Sequence, residues 1–192
     1  MGCLCSILGR RYSGTVSPQR GTAATTAVTI ITAVDGDPPL TFELVRSWSD
    51  SFDELMKSRT GQKILADFLK SEFSDENILF WQACEELKKE RNAEKMEEKA
   101  RIIYEDFISI LSPKEISLDS KAREEINSNM GRPTNQCFAS AQEQIYMLMA
   151  RDSYPRFIQS SFYKACRDQF GVRDLQEEER IAERSATTTE QN

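Results

Sequence analysis

The sequence predicts an all-α domain between about Thr41 and Gly171, flanked by tails of different composition. Three observations predict it. Large apolar residues recur at the helical period in one segment after another of that span, and the two-residue alternation of a half-buried strand survives nowhere inside it. Start and stop residues punctuate these segments, with Ser74 and Asp119 or Ser120 at beginnings, Asn92 at a turn, and Pro113 and Gly131-Arg132-Pro133 at ends. Composition changes at both borders, to Thr, Ala, Ser, Gly and Pro across 13–40 and to an acidic, then Ser/Thr/Ala-rich stretch over 172–192.

With 192 residues, the chain can hold one ordinary domain with one core. Histidine is absent, which removes the commonest general base, Ser-His and Cys-His nucleophile pairs and histidine-containing zinc sites. The five cysteines, Cys3, Cys5, Cys84, Cys137 and Cys166, suggest neither a disulfide framework nor a metal site, and fit a reducing compartment. A formal net charge of -6 and no Lys/Arg-rich run argue against nucleic acid as a partner. No apolar run approaches the length of a membrane span.

Residues 1–12 read as a lipid anchor. Met1-Gly2-Cys3-Leu4-Cys5-Ser6 fits M-G-x-x-x-[ST], the pattern for myristoylation of Gly2, with Cys3 and Cys5 available for palmitate. One myristoyl chain binds membranes only marginally, so the cysteines with Arg10 and Arg11 offer the second attachment that stable anchoring needs. Residues 13–40 read as a disordered linker, because Val28, Ile30, Ile31 and Val34 are too few to offset ordering entropy.

Within the domain, Val45, Trp48, Phe52, Leu55 and Met56 predict one or two short helices, with Ser49 or Asp50 as a cap and Thr60-Gly61 as the break. Trp48 is read as a packed residue. Ile64, Leu65, Phe68 and Leu69 then form the stripe of a helix over 62–70. The stretch from Ser71 to Lys89 reads as a helix end, a tight turn and a new helix starting at Asp75. Ser74 is its expected N-cap, with Asp75 and Glu76 at the positive end of the dipole. Phe80, Trp81, Cys84 and Leu87 share one face of it. Met96, Ala100, Ile103, Tyr104, Phe107, Ile108 and Leu111 predict the next, antiparallel helix, whose Glu94, Glu97, Glu98, Lys95, Lys99 and Arg101 are a solvated face. Ala122, Ile126 and Met130 mark the inner side of a short helix capped by Asp119 or Ser120, with Asn129 at its C-terminus. Phe138, Ala141, Ile145, Leu148 and Met149 mark another, expected to break at Asp152-Ser153-Tyr154-Pro155. Met147 and Met149 are both read as packing residues. Phe157, Phe162, Tyr163, Cys166 and Phe170 complete the core in two short helices, and the tail over 172–192 is read as mostly disordered.

Glu72-Phe73-Ser74-Asp75-Glu76-Asn77, followed by Phe80-Trp81 and Cys84-Glu85, resembles the signature of the regulator of G-protein signalling (RGS) domain. Leu118-Asp119-Ser120 running to Asn129, and Asp152-Ser153-Tyr154 with Arg156-Phe157, extend the resemblance in the right order from about Thr41 to Phe170. Leu65, where many such domains have Phe, is a small departure that touches packing. The resemblance implies about nine helices, with a four-helix bundle over roughly Ser74 to Arg151 packed on a subdomain made from both ends of the domain. It implies a GTPase-activating protein for Gα subunits of the Gi/o or Gq type, not an enzyme, with no cofactor and no metal. Its partners would be GTP-bound Gα and, through acyl chains, the cytoplasmic face of the plasma membrane; the protein would be a monomer that terminates receptor signalling. By the same resemblance Asn129 reaches toward the catalytic Gln and switches of Gα, Glu76 and Asn77 contact the switches, and Asp152 binds the first switch. Arg156 holds Asp152, Leu148 and Ser153 complete the contact, and Glu72 fixes the neighbouring loop. Two further readings are an adaptor that binds without accelerating hydrolysis, and a true enzyme, which the absence of His and of a P-loop disfavours.

Overall fold

The computed structural model describes residues 32–171. The anchor residues Gly2, Cys3 and Cys5, most of the 13–40 segment and the tail over 172–192 lie outside the described residues. Three short-range caps build the first helices. Thr41 accepts the Leu44 amide to start α1 (Phe42–Ser47), Ser51 accepts the Glu54 amide to start α2 (Phe52–Lys57), and Ser58 accepts the Gly61 amide to start α3 (Arg59–Ser71). Neither Ser49 nor Asp50 caps a helix. The break falls at Ser58, and Thr60-Gly61 lie inside the first turn of α3. Gly61 is glycine for space: a Cβ there would stand 2.6 Å from the Leu55 carbonyl oxygen and 3.3 Å from the Trp48 ring.

Residues 34–37, expected in the linker, are tied to that same turn. The Asp37 carboxylate accepts from the Thr60 amide at 2.6 Å, the Thr60 hydroxyl at 2.9 Å and the Ser58 hydroxyl at 3.3 Å, and the Val34 amide donates to Thr60 Oγ1 at 2.9 Å. Asp37 is thus a cap for α3 supplied from upstream. Burial pulls its pKa upward, but the hydrogen bonds from Thr60, Arg59 and Ser58 outweigh it, and the net value lies below the ordinary 3.8. The stabilisation is therefore full above the ordinary value and is lost as pH falls through the lowered one. Asp37→Ala is expected to cost about 1 kcal/mol at neutral pH, the size of a lost helix cap, and to flatten the acid limb of the stability curve. Urea unfolding at pH 7 and pH 3 measures both.

The bundle follows as α4 (Glu76–Lys88), α5 (Ala93–Ile103), α6 (Ser120–Asn129) and α7 (Ala139–Leu148). Side-chain contacts fix its register. Phe80 meets Phe107 while Glu90 meets Lys99, so α4 and α5 are antiparallel. Arg123 bonds the Ile108 carbonyl and Tyr104 bonds Asn127, which makes α5 and α6 antiparallel. Gln142 bonds the Trp81 carbonyl and Asn135 the Lys88 carbonyl, which sets α7 against α4. One end of the bundle, here the loop end, therefore gathers the start of α4, the end of α5, the start of α6 and the end of α7. The far end gathers Lys88, Asn92, Asn129 and the 130–138 connection.

Two π-helical turns interrupt the α period, both at the loop end. Tyr104–Ile108 closes α5, with the Ser109 amide on the Tyr104 carbonyl at 2.9 Å, and the chain then turns extended. Leu111 consequently leaves the apolar stripe it was expected to continue and stands exposed. Met149–Ser153 continues α7 directly into α8 (Tyr154–Gln159), so the expected break is a widened turn instead. Pro155 falls at the start of the new register, where its missing N–H leaves no helical bond unmade.

The remaining helical residues, 161–171, return to the first helices. Tyr163 donates to the Val45 carbonyl at 3.3 Å, Tyr154 to the Trp48 carbonyl at 3.0 Å, and Phe68 rests on Phe157 and Phe162. Both ends of the domain thus share one subdomain. Trp48 is its fully buried centre, and its Nε1–H meets no acceptor among the described residues. Among the described residues there is no strand, and no helix is long and apolar enough to cross a membrane. Cys84, Cys137 and Cys166 are buried free thiols, and burial pushes Cys166 up to about 12.

Candidate functional site

The turn between α3 and α4 begins the site. The Ser74 amide reaches back to the Leu69 carbonyl at 2.9 Å and the Phe73 amide to Lys70 at 3.2 Å, the paired bonds that close a helix around a left-handed residue. That residue is usually glycine, because a side chain there costs about 1 kcal/mol or more. Here it is Phe73, at φ 57 and 93% exposed. Its ring adds nothing to the core. Ser74 does not cap α4 as expected: its hydroxyl turns back to Leu69 O, and α4 starts one residue late, at Glu76, after Asp75, which makes no side-chain cap.

On the neighbouring element, α8 carries Arg156 one turn beyond Asp152. The guanidinium takes Glu72 with both carboxylate oxygens, at 3.3 and 2.9 Å, and Asp152 through its carboxylate at 2.6 Å and its carbonyl at 3.1 Å. One arginine thus ties the turn after α3 to the π turn after α7. The Glu72 hydrogen bond, then that of Asp152, pushes the arginine further above its ordinary value, so it is charged at every working pH. All three side chains are substantially exposed, which leaves the second face of the Asp152 carboxylate turned outward.

Asn77 is buried in the first turn of α4. Its Nδ2 donates to the Ser74 carbonyl at 3.4 Å and to Glu76 Oε1 at 3.1 Å, while no donor among the described residues reaches its Oδ1. Ser153 is also buried, beneath the π turn, whereas Leu148 and Met147 are exposed beside it. Met147 is therefore not the packing residue it was expected to be.

The structure brings together Glu72, Glu76, Asn77, Leu148, Asp152, Ser153 and Arg156 at the loop end. It does not bring Asn129 to them. Asn129 closes α6 at the far end, and its Nδ2 donates to the Cys137 carbonyl at 3.1 Å. The two ends are separated by the length of α4, 13 residues or about 20 Å. A helix C-terminus belongs to the end opposite its N-terminus, and the expectation placed the wrong terminus of α6 in the site. What α6 does bring to the loop end is its first turn and the 109–119 connection. Asn129→Ala is expected to cost about 1 kcal/mol of stability through its lost hydrogen bond and to leave partner binding unchanged. Thermal unfolding and a Gα binding measurement check the two halves.

Sequence reasoning missed Phe73 as a contact candidate, although a bulky aromatic in a turn position that favours glycine is a signal that single residues can give.

Residues 51–166 match the family described as the regulator of G protein signaling domain. The chain belongs to the RGS family. It is 62% identical to "Regulator of G-protein signaling rgs-1" of Caenorhabditis elegans over 175 residues, covering 91% of this chain and 81% of that protein. Against "Regulator of G-protein signaling rgs-2" of the same organism it is 58% identical over 172 residues, 90% of this chain and 95% of the relative. Human "Regulator of G-protein signaling 20" is 61% identical over 127 residues, 66% of this chain and 33% of that longer protein. RGS proteins are GTPase activators and not themselves enzymes, and membership implies that this RGS domain binds Gα subunits.

Proposed function

We propose that this RGS domain binds GTP-bound Gα of the Gi/o or Gq type through the loop end of its bundle, speeds GTP hydrolysis and so terminates receptor signalling. The observation that carries the reading is the Glu72–Arg156–Asp152 cluster, which fixes two loops of one protein end into a single charged platform. A Gα subunit already holds its water-positioning Gln and its charge-stabilising Arg, so what a helper can supply is rigidity of the switch segments. Binding those segments more tightly in the transition state than in the ground state accelerates the reaction. A hundredfold gain requires only about 2.7 kcal/mol, within the reach of a few charge-assisted hydrogen bonds.

In this reading Asp152 accepts from the first switch and Arg156 holds it in place, with Glu72 as the counter-anchor. Glu76 and the open Oδ1 of Asn77 meet the switches beside it. Phe73 and Leu148 cover the contact, and Ser153 supports it from below. Acyl chains at Gly2, Cys3 and Cys5 would hold the protein at the cytoplasmic face of the plasma membrane, where Gα resides. Single-turnover GTP hydrolysis by an inhibitory-type Gα, with and without the full chain, tests the reading. Acceleration supports it; tight binding without acceleration replaces it with the adaptor.

A further inference from the structure

The flank of the bundle carries an open groove of about 360 Å3 between α4 and α7. Trp81, Glu85 and Lys88 of α4 form one wall, the buried Gln142 forms the floor, and Glu143 and Tyr146 of α7 form the other wall. We propose that this groove holds an arginine side chain of a protein partner other than Gα. The inference stands apart from the proposed function, because the groove runs along the side of the bundle. Its α4 wall lies about 8 to 18 Å from the start of that helix at the loop end.

Every group left open in the groove is an acceptor or an aromatic face. Gln142 is 3% exposed, and its Nε2 donates both to the Trp81 carbonyl at 3.1 Å and to Glu85 Oε1 at 2.8 Å. Those two acceptors fix the direction of the amide, and no donor among the described residues reaches its Oε1. Lys88 takes the same Glu85 Oε1 at 2.7 Å, which leaves Oε2 without a donor among the described residues. Burial pulls the Glu85 pKa upward, but the hydrogen bonds from Lys88 and Gln142 outweigh it, and the carboxylate is ionised at neutral pH. Glu143 is exposed on the opposite wall, with no cation paired to it among the described residues.

The aromatic faces narrow the choice of cation. Trp81 and Tyr146 have ring centroids 6.2 Å apart and planes 34° from parallel. The Tyr146 hydroxyl donates to Asp53 of α2, which holds that ring in place and adds negative charge next to it. A cation over such rings is attracted by their quadrupoles. A guanidinium is also flat, so it stacks on them while its edge donors reach several acceptors at once; an ammonium is a compact point charge without that fit. An anion is repelled by the carboxylates and finds no free donor, since Lys88 is committed to Glu85. Being open, the groove leaves much of a free small molecule in water, whereas a side chain presented by a partner has the rest of an interface to hold it.

The test titrates the full, isotope-labelled chain with the peptide acetyl-Gly-Arg-Gly-amide and follows it by NMR. The chain has two tryptophans and Trp48 is fully buried, so the other indole N–H signal reports the groove. The arginine peptide is expected to shift the Trp81 indole and Gln142 amide signals. The lysine peptide should bind about tenfold more weakly, and the citrulline peptide, neutral but of the same shape, should leave both signals unmoved. Glu143→Lys changes an exposed side chain, should keep the wild-type unfolding temperature and should abolish the shifts. No shift at millimolar arginine peptide overturns the inference, as does an equal response to citrulline or a response that survives in Glu143→Lys. Prior binding of Gα loaded with a non-hydrolysable GTP analogue should leave the response intact; its loss would make the groove part of the Gα surface and overturn the separate partner. If Gα does not bind at all, the proposed function fails while the peptide titration still decides this inference.

Discussion

Gly61→Ala is expected to lower the stability of the domain by about 3 kcal/mol, at the upper end of what overpacking costs, and its melting temperature by roughly 10 °C. Two effects compete at this position. Alanine is favoured over glycine inside a helix by about 1 kcal/mol, so propensity alone argues for a more stable protein. Against it, the new Cβ would stand 2.6 Å from the Leu55 carbonyl oxygen and 2.9 Å from Leu55 Cδ1. The oxygen belongs to backbone at the end of α2 and cannot rotate away. Relief requires α2 and α3 to part, and Trp48 sits fully buried against the same point. Packing therefore wins. Gly131→Ala is the control, since its nearest neighbour would be the Ser128 carbonyl at 3.6 Å, and it should change stability by less than about 0.5 kcal/mol. Thermal unfolding followed by circular dichroism measures both; a rise in melting temperature for Gly61→Ala would mean that α2 and α3 are not packed as described.

Gly61 also shows where the sequence ceases to be legible. Periodicity located the helices because burying an apolar stripe is a local requirement, visible within a dozen residues. Ser58, Asp119 and Asn92 follow the same local logic of capping, although of the three only Asp119 is read as a cap from the sequence. A glycine, by contrast, is needed either for its backbone freedom or for its size, and only the distant Leu55 and Trp48 decide which. Pro155 poses a similar ambiguity. Proline ends an α-helix in the ordinary register, but a π turn before it shifts the register so that no N–H is required, and nothing in the residues themselves announces the shift. Leu111 was lost from its predicted stripe for the same reason.

The site divides along the same line. Glu72, Asp152 and Arg156 were each recognisable in their motifs, and the side chains do meet. Asn129 was equally recognisable as a helix C-terminus, yet its place depends on which end of the bundle that terminus reaches. That is a property of topology, settled here by the contacts of Tyr104 with Asn127 and Arg123 with Ile108. Both π turns fall at the loop end, where widened turns displace side chains from the helical stripe and turn them outward. Leu111, just past the first of these turns, owes its exposure to that backbone cause, and it is a residue that a pattern analysis assigns to the core.

Arg156→Met is expected to reduce the acceleration of Gα hydrolysis about 30-fold, equivalent to roughly 2 kcal/mol, while moving the melting temperature only slightly. The two outcomes separate because the ion pairs are exposed. Solvent-screened pairs contribute about 0 to 1 kcal/mol to folding, and Met keeps an unbranched apolar chain in place of the arginine stem. Their value in the complex is different: once the partner covers the cluster, Asp152 needs a fixed direction, and Arg156 supplies it through a 2.6 Å contact and a hydrogen bond to the Asp152 carbonyl. Without the arginine the carboxylate swings free, and the ordering entropy that the native pair has already met must be met on binding. Asp152→Asn removes the charge itself and should reduce acceleration at least as far. Combining it with Arg156→Met should then cost little more than Asp152→Asn alone, since a positioning residue has nothing left to position. Additive losses in that cycle would show Arg156 touching Gα on its own account. Full acceleration in Arg156→Met would detach the cluster from function altogether and leave it a surface ion pair.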